Sequence, residues 1–174
     1  GEPPNRFHPV CLIGRCALRM EILARQRWGG TFHAGMAAAL ATCIAAWFGC
    51  AALFLPFSLL PSPWAPWIPS VLVIYICMAP RSLAEHARKV ENALRSGNAG
   101  EARHSVSMIV GRDTERMDVY GIARAAIESV AENLTDGVFS TLFWASAGCL
   151  AGGASGAASA ALAHRVFNIL DAMW

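Results

Sequence analysis

The chain has 174 residues, of which 55% are hydrophobic and 15% charged, and its formal net charge is +2. This balance is typical of a membrane protein and excludes an ordinary soluble globule. The small net charge, without a basic stripe interleaved with aromatic residues, argues against nucleic-acid binding. Six cysteines without a C-x-x-C pair or a matching histidine pattern predict neither disulfides nor a zinc site.

Residues 1–33 are predicted to form a cytoplasmic or interfacial segment. Residues 1–9 are rich in proline, and residues 10–28 predict a helix that Gly29 and Gly30 end. We expect its arginines to lie near lipid head groups; they are Arg15, Arg19, Arg25 and Arg27. Because the chain opens without a methionine and no signal peptide precedes the first span, we expect a further N-terminal piece.

Residues 34–80 predict a helical hairpin in the membrane. Residues 34–60 hold no charged side chain, and at about 1.5 Å per residue this run exceeds the roughly 30 Å of hydrocarbon in a bilayer. A second uncharged run, residues 53–79, contains the segment PSPWAPWIP. Its prolines end one helix and start the next, and Trp64 and Trp67 suit the membrane–water boundary.

The distribution of positive charge predicts an orientation. Five Lys or Arg residues precede Gly30, none lies in the hairpin turn, and eight lie between Arg81 and Asp136. The excess of positive charge on cytoplasmic segments therefore places the N-terminal segment and residues 81–137 in the cytoplasm.

Residues 81–137 carry most of the ionisable side chains. Two helices are predicted first, one that Gly97 ends and one over residues 100–109, and Asp118 then caps a helix over residues 119–135. That helix places four charged residues at four-residue steps, namely Arg124, Glu128, Glu132 and Asp136. Glu128 and Glu132, one turn apart with Asn133 beside them, are typical of a Mg²⁺ seat that keeps waters and substrate phosphates. From spacing alone, such a ladder is more often a solvated helix face than a metal site, and residues 111–114 are more often a polar turn.

Residues 138–163 form a third uncharged run, built from Ala, Gly and Ser. Gly148, Gly152 and Gly156 recur every four residues, which favours a straight, closely packed span over a hairpin broken at Gly152 and Gly153. Polar residues 164–174 follow, and a straight span would place Asp171 near the far face, outside a catalytic site. The predicted fold is one all-α, polytopic membrane domain with about three transmembrane helices plus cytoplasmic amphipathic helices.

Four segments together resemble one protein family. They are GEPPNRFHPVCLIGR, SMIVGRDTERMD, IARAAIESVAENLTDGV and NILDAM, and they are similar to the adenosylcobinamide-phosphate synthase family, the CobD/CbiB membrane proteins of cobalamin biosynthesis. The resemblance spans nearly the whole chain, and its most specific part is GRDT followed by ESVAEN and DG. It implies a multi-pass inner-membrane ligase that consumes ATP to join adenosylcobyric acid to aminopropanol phosphate, giving adenosylcobinamide phosphate.

The family resemblance also implies binding partners, and the chain differs from the family pattern at a few positions. Expected partners are the corrinoid, the amino alcohol phosphate, the lipid bilayer, and either further copies of the chain or other membrane enzymes of the pathway. The chain departs from the family pattern at residues 139–141 and 168–171. Family members also continue past the position of Trp174 with further spans, so the chain looks like a fragment or a shortened relative.

The implied reaction assigns roles to the polar cluster. Activating a carboxylate with ATP requires neutralisation of phosphate charge, by Mg²⁺ on carboxylates and by arginine forks. We assign Arg112 and Arg124 to phosphate, with Asp113 orienting an arginine or a ligand hydroxyl. Glu128 and Glu132 are assigned to the metal. Together with Asp136, they are also candidates for binding the attacking ammonium, and Asn133 is a catalytic-site residue beside them. Gly111 and Thr114 are assigned to the cofactor. Neither a Walker A sequence nor a G-x-G-x-x-G motif is present, so an ATP site would be of an unfamiliar kind.

Two rival functions remain open at this stage. A non-catalytic scaffold or sensor derived from the family would keep the helices without the chemistry. A small transporter would need ionisable residues inside its spans, and residues 34–60 and 138–163 have none.

Overall fold

The structure is a computed structural model that describes residues 9–78 and 80–173. The proline-rich residues 1–8 therefore lie outside the described part. The sequence predicts a single domain, whereas contacts divide the chain into two compact units. We call Gly1–Met78 with Ser140–Trp174 the membrane unit and Ala79–Phe139 the motif unit.

Every regular element among the described residues is helical, which confirms the all-α fold class. The membrane unit contains α1 (Pro9–Trp28), α2 (Phe32–Ser58), α3 (Trp67–Met78) and α7 (Ser140–Met173). The motif unit contains α4 (Pro80–Arg95), α5 (Ala99–Ser107), α6 (Val119–Leu134) and a π-helical turn (Thr135–Phe139). Within the described part of the chain, three helical stretches could cross a membrane by length and composition: Phe32–Ser58, Trp67–Arg95 and Val119–Met173.

Helix α1 packs against α2 through small residues. Ala24 on α1 is buried together with Ala34 and Ala38 on α2, while the four arginines of α1 stay exposed. Gly29 adopts a φ of 68° between the two helices, a conformation that favours glycine. The hydroxyl of Thr31 then caps α2 by accepting a hydrogen bond from the Ala34 amide at 3.3 Å.

Helix α7 is broken, so the predicted straight span is wrong. Gly152 and Gly153 leave helical geometry, with φ values of −152° and 60°. A Cβ atom built on Gly148 would overlap the Gly156 carbonyl and lie 2.6 Å from the Cβ of Ala160. In a straight helix, residues eight apart are separated by about 12 Å, so this contact requires that the chain folds back on itself.

The straight span was predicted from the glycine spacing, which shows where a backbone can approach but not which backbone does so. Glycines at four-residue steps do permit close approach, but the partner here is the other half of the same helix. The break divides α7 into a first arm, residues 140–151, and a second arm, residues 154–173. The second arm returns towards the level of Ser140, so Asp171 is not carried to the opposite end of a straight span. The first arm, at about 18 Å, is shorter than the bilayer core.

The bend of this hairpin is attached to α3. The buried hydroxyl of Ser70 donates a hydrogen bond to the Ala154 carbonyl at 2.8 Å. This bond satisfies the buried Ser70 hydroxyl where water is excluded and fixes the start of the second arm to α3. Further along the second arm, Ala158 packs in a buried cluster with Val73 and Cys77 of α3.

We predict that Gly148→Ala destabilises the membrane unit. The added methyl group would collide with the Gly156 backbone, and overpacking of this kind costs about 1–3 kcal/mol. Thermal unfolding in detergent measures the effect. The control is Gly49→Ala on α2, where a Cβ would meet no atom within 4 Å. Equal stability of the two variants would contradict the hairpin.

Candidate functional site

The motif unit has a hydrophobic core of its own. Helix α4 is amphipathic and packs its apolar face against α5 and α6. The buried residues of this core are Val90, Ala93, Ala102, Val106, Ile122 and Ala125. The core therefore fixes one face of α6 and leaves the opposite face to carry polar side chains.

Helix α6 begins as the sequence predicts and ends in an unusual turn. The Asp118 carboxylate accepts a hydrogen bond from the Gly121 amide at 2.8 Å, which confirms the predicted N-cap. The helix passes directly into the π-helical turn, which contains Asp136 and the buried Gly137. Such turns are rare and are frequently found at functional sites.

Three hydrogen bonds attach the segment between α5 and α6 to these helices. The Ser129 hydroxyl donates to the Ile109 carbonyl at 2.5 Å. The Thr114 hydroxyl donates to the Arg103 carbonyl at 3.2 Å, and the Arg103 Nε donates to the Met117 carbonyl at 2.9 Å. Residues 109–112 are thereby held beside α6.

Glu128 is bound by two arginines from different parts of the motif unit. Its Oε2 lies 2.6 Å from Arg112 Nη2, and its Oε1 lies 2.9 Å from Arg124 Nε. The hydrogen bonds from Arg124 and Arg112 hold the pKa of the Glu128 carboxyl below its usual value. All three side chains are about half exposed or more, so these ion pairs are screened and contribute little stability.

A polar cleft of about 280 Å³ lies between residues 109–112 and α6. It brings together five of the predicted site residues, which are Gly111, Arg112, Glu128, Glu132 and Asn133. The other lining residues are Ile109, Val110, Ala125 and Ser129. The cleft thus joins a loop arginine to two carboxylates and an amide of α6.

Four predicted site residues do not line this cleft. Arg124 reaches it only through Glu128. Asp113 accepts a hydrogen bond from the Glu115 amide at 2.9 Å and shapes the loop. Thr114 is 6% exposed, with its hydroxyl on the Arg103 carbonyl, and Asp136 lies in the π-helical turn.

The residues that could hold a metal are Glu132, Asn133 and Glu128. Both oxygens of Glu128 are bound to arginine, and no group of three or more His, Cys, Asp or Glu among the described residues forms a metal cage. Mg²⁺ often binds through one or two carboxylates and keeps its waters. With Glu128 bound to arginine, the oxygens of Glu132 and Asn133 remain as donors for a hydrated Mg²⁺, and the metal site stays a prediction.

Sequence reasoning missed Ser129 and Arg103. A serine within a helical run has no distinctive pattern, and its long-range acceptor, Ile109, lies 20 residues away. Helical periodicity could have identified Ser129, since it shares the buried face of α6 with Ile122 and Ala125. The contact of Arg103 with Met117 depends on the path of the loop, which spacing does not specify.

These observations define a helical membrane protein with an arginine–carboxylate cleft in a compact helical unit. The family model described as CobD/Cbib protein matches residues 1–174. The chain belongs to this family.

Curated relatives cover the whole chain. A "Cobalamin biosynthesis protein CobD" of Stutzerimonas stutzeri is 40% identical over 179 residues, which span 100% of this chain and 53% of that protein. The CobD protein of Chromobacterium violaceum matches with the same identity and coverage. A "Cobalamin biosynthesis protein CbiB" of Salmonella typhimurium is 34% identical over 175 residues, 99% of this chain and 52% of that protein. The chain therefore spans about half the length of these relatives, and no solved structure matches it.

We predict that replacing both Arg112 and Arg124 by Gln raises the pKa of Glu128 towards the ordinary value of about 4.3. The pKa is lowered in the folded chain, so the pairing stabilises the fold above the unfolded pKa and is lost as pH falls through the folded pKa. The ¹³C shift of the labelled carboxyl group measures this titration. Arg116→Gln, on the same loop, serves as the control that leaves the titration unchanged. The same pKa in the double variant and the wild type would contradict the pairing.

Proposed function

We propose that the chain takes part in cobalamin biosynthesis as an adenosylcobinamide-phosphate synthase. The proposed reaction joins adenosylcobyric acid to aminopropanol phosphate through an amide bond, with ATP consumed. The observation that carries this proposal is the cleft lined by Arg112, Glu128, Glu132 and Asn133, in which Glu128 is also bound by the neighbouring Arg124. Family membership and the printed names of the relatives support it.

The proposed chemistry requires an activated carboxylate. A corrinoid carboxylate oxygen attacks the γ-phosphorus of ATP and releases ADP, and the amine then attacks the acyl carbon and releases phosphate. The proton lost by the amine passes to a carboxylate of the cleft. Mg²⁺, when bound, would neutralise part of the phosphate charge.

Arg112 and Arg124 are suited to phosphate because the carboxylate that they bind, Glu128, can be replaced by another anion. A phosphate dianion carries more charge than the Glu128 carboxylate and offers more acceptor oxygens to a guanidinium fork. We propose that Arg112 and Arg124 turn from Glu128 to phosphate when a ligand enters. Glu128 then becomes available to a cation, either the metal or the ammonium.

The remaining predicted residues take supporting roles in this proposal. Glu132 and Asp136 are candidates for the metal or the ammonium, and Gly111 for backbone contact with the nucleotide. Asp113 holds the turn of the loop through the Glu115 amide. Thr114, which the sequence assigns to the cofactor, donates its hydroxyl to the Arg103 carbonyl, so we propose that it supports the loop.

Activity of the purified chain tests the proposal. We expect incorporation of labelled aminopropanol phosphate into the corrinoid, and a loss of about 100-fold or more in Glu128→Gln and in Glu132→Gln, as for other acid–base groups. Glu91→Gln is the matched control, because Glu91 forms an i,i+4 ion pair with Arg95 at 2.7 Å on α4. Full turnover in both cleft variants would remove the carboxylate roles. Binding of the substrates without incorporation would favour a scaffold or sensor.

We also propose an inner-membrane location with the motif unit in the cytoplasm, based on the charge distribution. Further copies of the chain, or other membrane enzymes of the pathway, are the proposed protein partners.

We predict that a cysteine at Ser62, in the exposed turn between α2 and α3, reacts with an impermeant thiol reagent from the periplasmic side. A cysteine at Ser96, after α4, should not react. The chain's own six cysteines, of which Cys11 is exposed, are first replaced by Ala. The reverse labelling pattern would overturn the orientation.

A further inference from the structure

We propose that Ser129 locks the side-chain amide of Asn133 so that its oxygen is the atom offered to the cleft. This makes the end of the cleft at Glu132 and Asn133 a subsite for a hydrogen-bond donor such as an ammonium group. Ser129 is then a positioning residue that acts mainly through its main-chain carbonyl. The inference deepens the proposed function, because it rests on Arg112 and Arg124 as the phosphate-binding groups.

The Ser129 hydroxyl has already used its only hydrogen. It donates to the Ile109 carbonyl at 2.5 Å, and a hydroxyl has one donor and two acceptor positions. Ser129 is 4% exposed, so water does not compete for this hydrogen. Towards any further partner, the Ser129 Oγ can act only as an acceptor.

Asn133 meets two such acceptors at Ser129. Its Nδ2 lies 2.8 Å from the Ser129 carbonyl oxygen and 3.3 Å from the Ser129 Oγ. A flipped amide would place Oδ1 against two oxygens that have no hydrogen to share. The two amide orientations are normally hard to distinguish, and the hydrogen-bond network is what decides between them. Here the network requires that nitrogen faces Ser129.

The consequence is a cleft lined by two chemically different kinds of group. Asn133 Oδ1 is turned away from Ser129 and accepts no hydrogen bond from the described residues, and Glu132 has no ion-pair partner among them. Both are acceptors, whereas Arg112, which also lines the cleft, has only donors. The described cleft therefore suits a ligand with a phosphate at one end and an ammonium at the other.

The size of the cleft limits this ligand further. Its volume is about 280 Å³, just below the roughly 300–1,000 Å³ of pockets that enclose drug-sized ligands. A short amino alcohol phosphate fits such a space. We therefore assign the small amine substrate to this cleft.

The test compares two phosphates on the 174-residue chain in lipid nanodiscs. One is aminopropanol phosphate, and the other is the alkyl phosphate in which a methyl group replaces the amine. By calorimetry, wild-type chain should bind the amine at least about tenfold more tightly, a difference of about 1.4 kcal/mol. Ser129→Ala keeps the main-chain carbonyl that lies 2.8 Å from Asn133 Nδ2 and loses only the Oγ at 3.3 Å, so it should retain most of this preference.

Two substitutions at the exposed Asn133 decide the inference. Asn133→Leu removes the acceptor and should abolish the preference for the amine. Asn133→Asp keeps acceptor oxygens and should retain the preference. Ser96→Ala, which removes a hydroxyl bonded to the Ala93 carbonyl at 3.0 Å, is the control and should behave as wild type.

The outcomes separate this inference from the proposed function. If the wild-type chain binds neither phosphate, both the phosphate role of the arginines and this inference fail. If it binds both phosphates and the preference for the amine survives in Asn133→Leu, the proposed subsite fails while the arginine assignment stands.

Discussion

The backbone of Gly148 lies against the backbone of Gly156, and the packing of the membrane unit depends on this contact. It holds the second arm of α7 against the first, and the other helices of the unit pack on that second arm. Helix α3 contacts it at Ala154 and Ala158, and α1 and α2 meet it around Val166 and Leu170. A side chain at Gly148 would move the element that these three helices share, which is why a hydrogen atom is required there.

The sequence predicts the elements of this fold better than their pairing. Uncharged length identifies α2, prolines locate the turn before α3, and Asp118 identifies the start of α6, because each feature acts on its own neighbours in the chain. The fold-back of α7 was not predicted, since glycine spacing gives the face on which another backbone can approach but does not name that backbone. The adjacent pair Gly152 and Gly153 was the feature that favoured a break. Gly153 adopts a φ of 60° at the bend, a conformation that favours glycine.

The candidate site also contains some contacts that the sequence predicts and others that it does not. Helical spacing predicts that Arg124, Glu128 and Glu132 are neighbours, because one helix fixes their separation. The contact of Arg112 with Glu128 and the hydrogen bond from Ser129 to Ile109 join residues 16 and 20 positions apart. Both depend on how the loop folds over α6, and that path follows from the small core around Val106 and Ile122. Residue spacing carries no information about such a path.

The two polar networks of the cleft differ in how firmly they are held, and this difference suits the proposed chemistry. Ser129 is buried, so breaking its bond to Ile109 would strand a carbonyl and a hydroxyl away from water, at a cost of about 1–3 kcal/mol. The arginines on Glu128 are exposed, so water and salt replace that pairing at little cost. In the proposed chemistry, the acceptor that discriminates between ligands therefore lies on the rigid network. The donors that we propose to change partners when phosphate arrives lie on the exchangeable one.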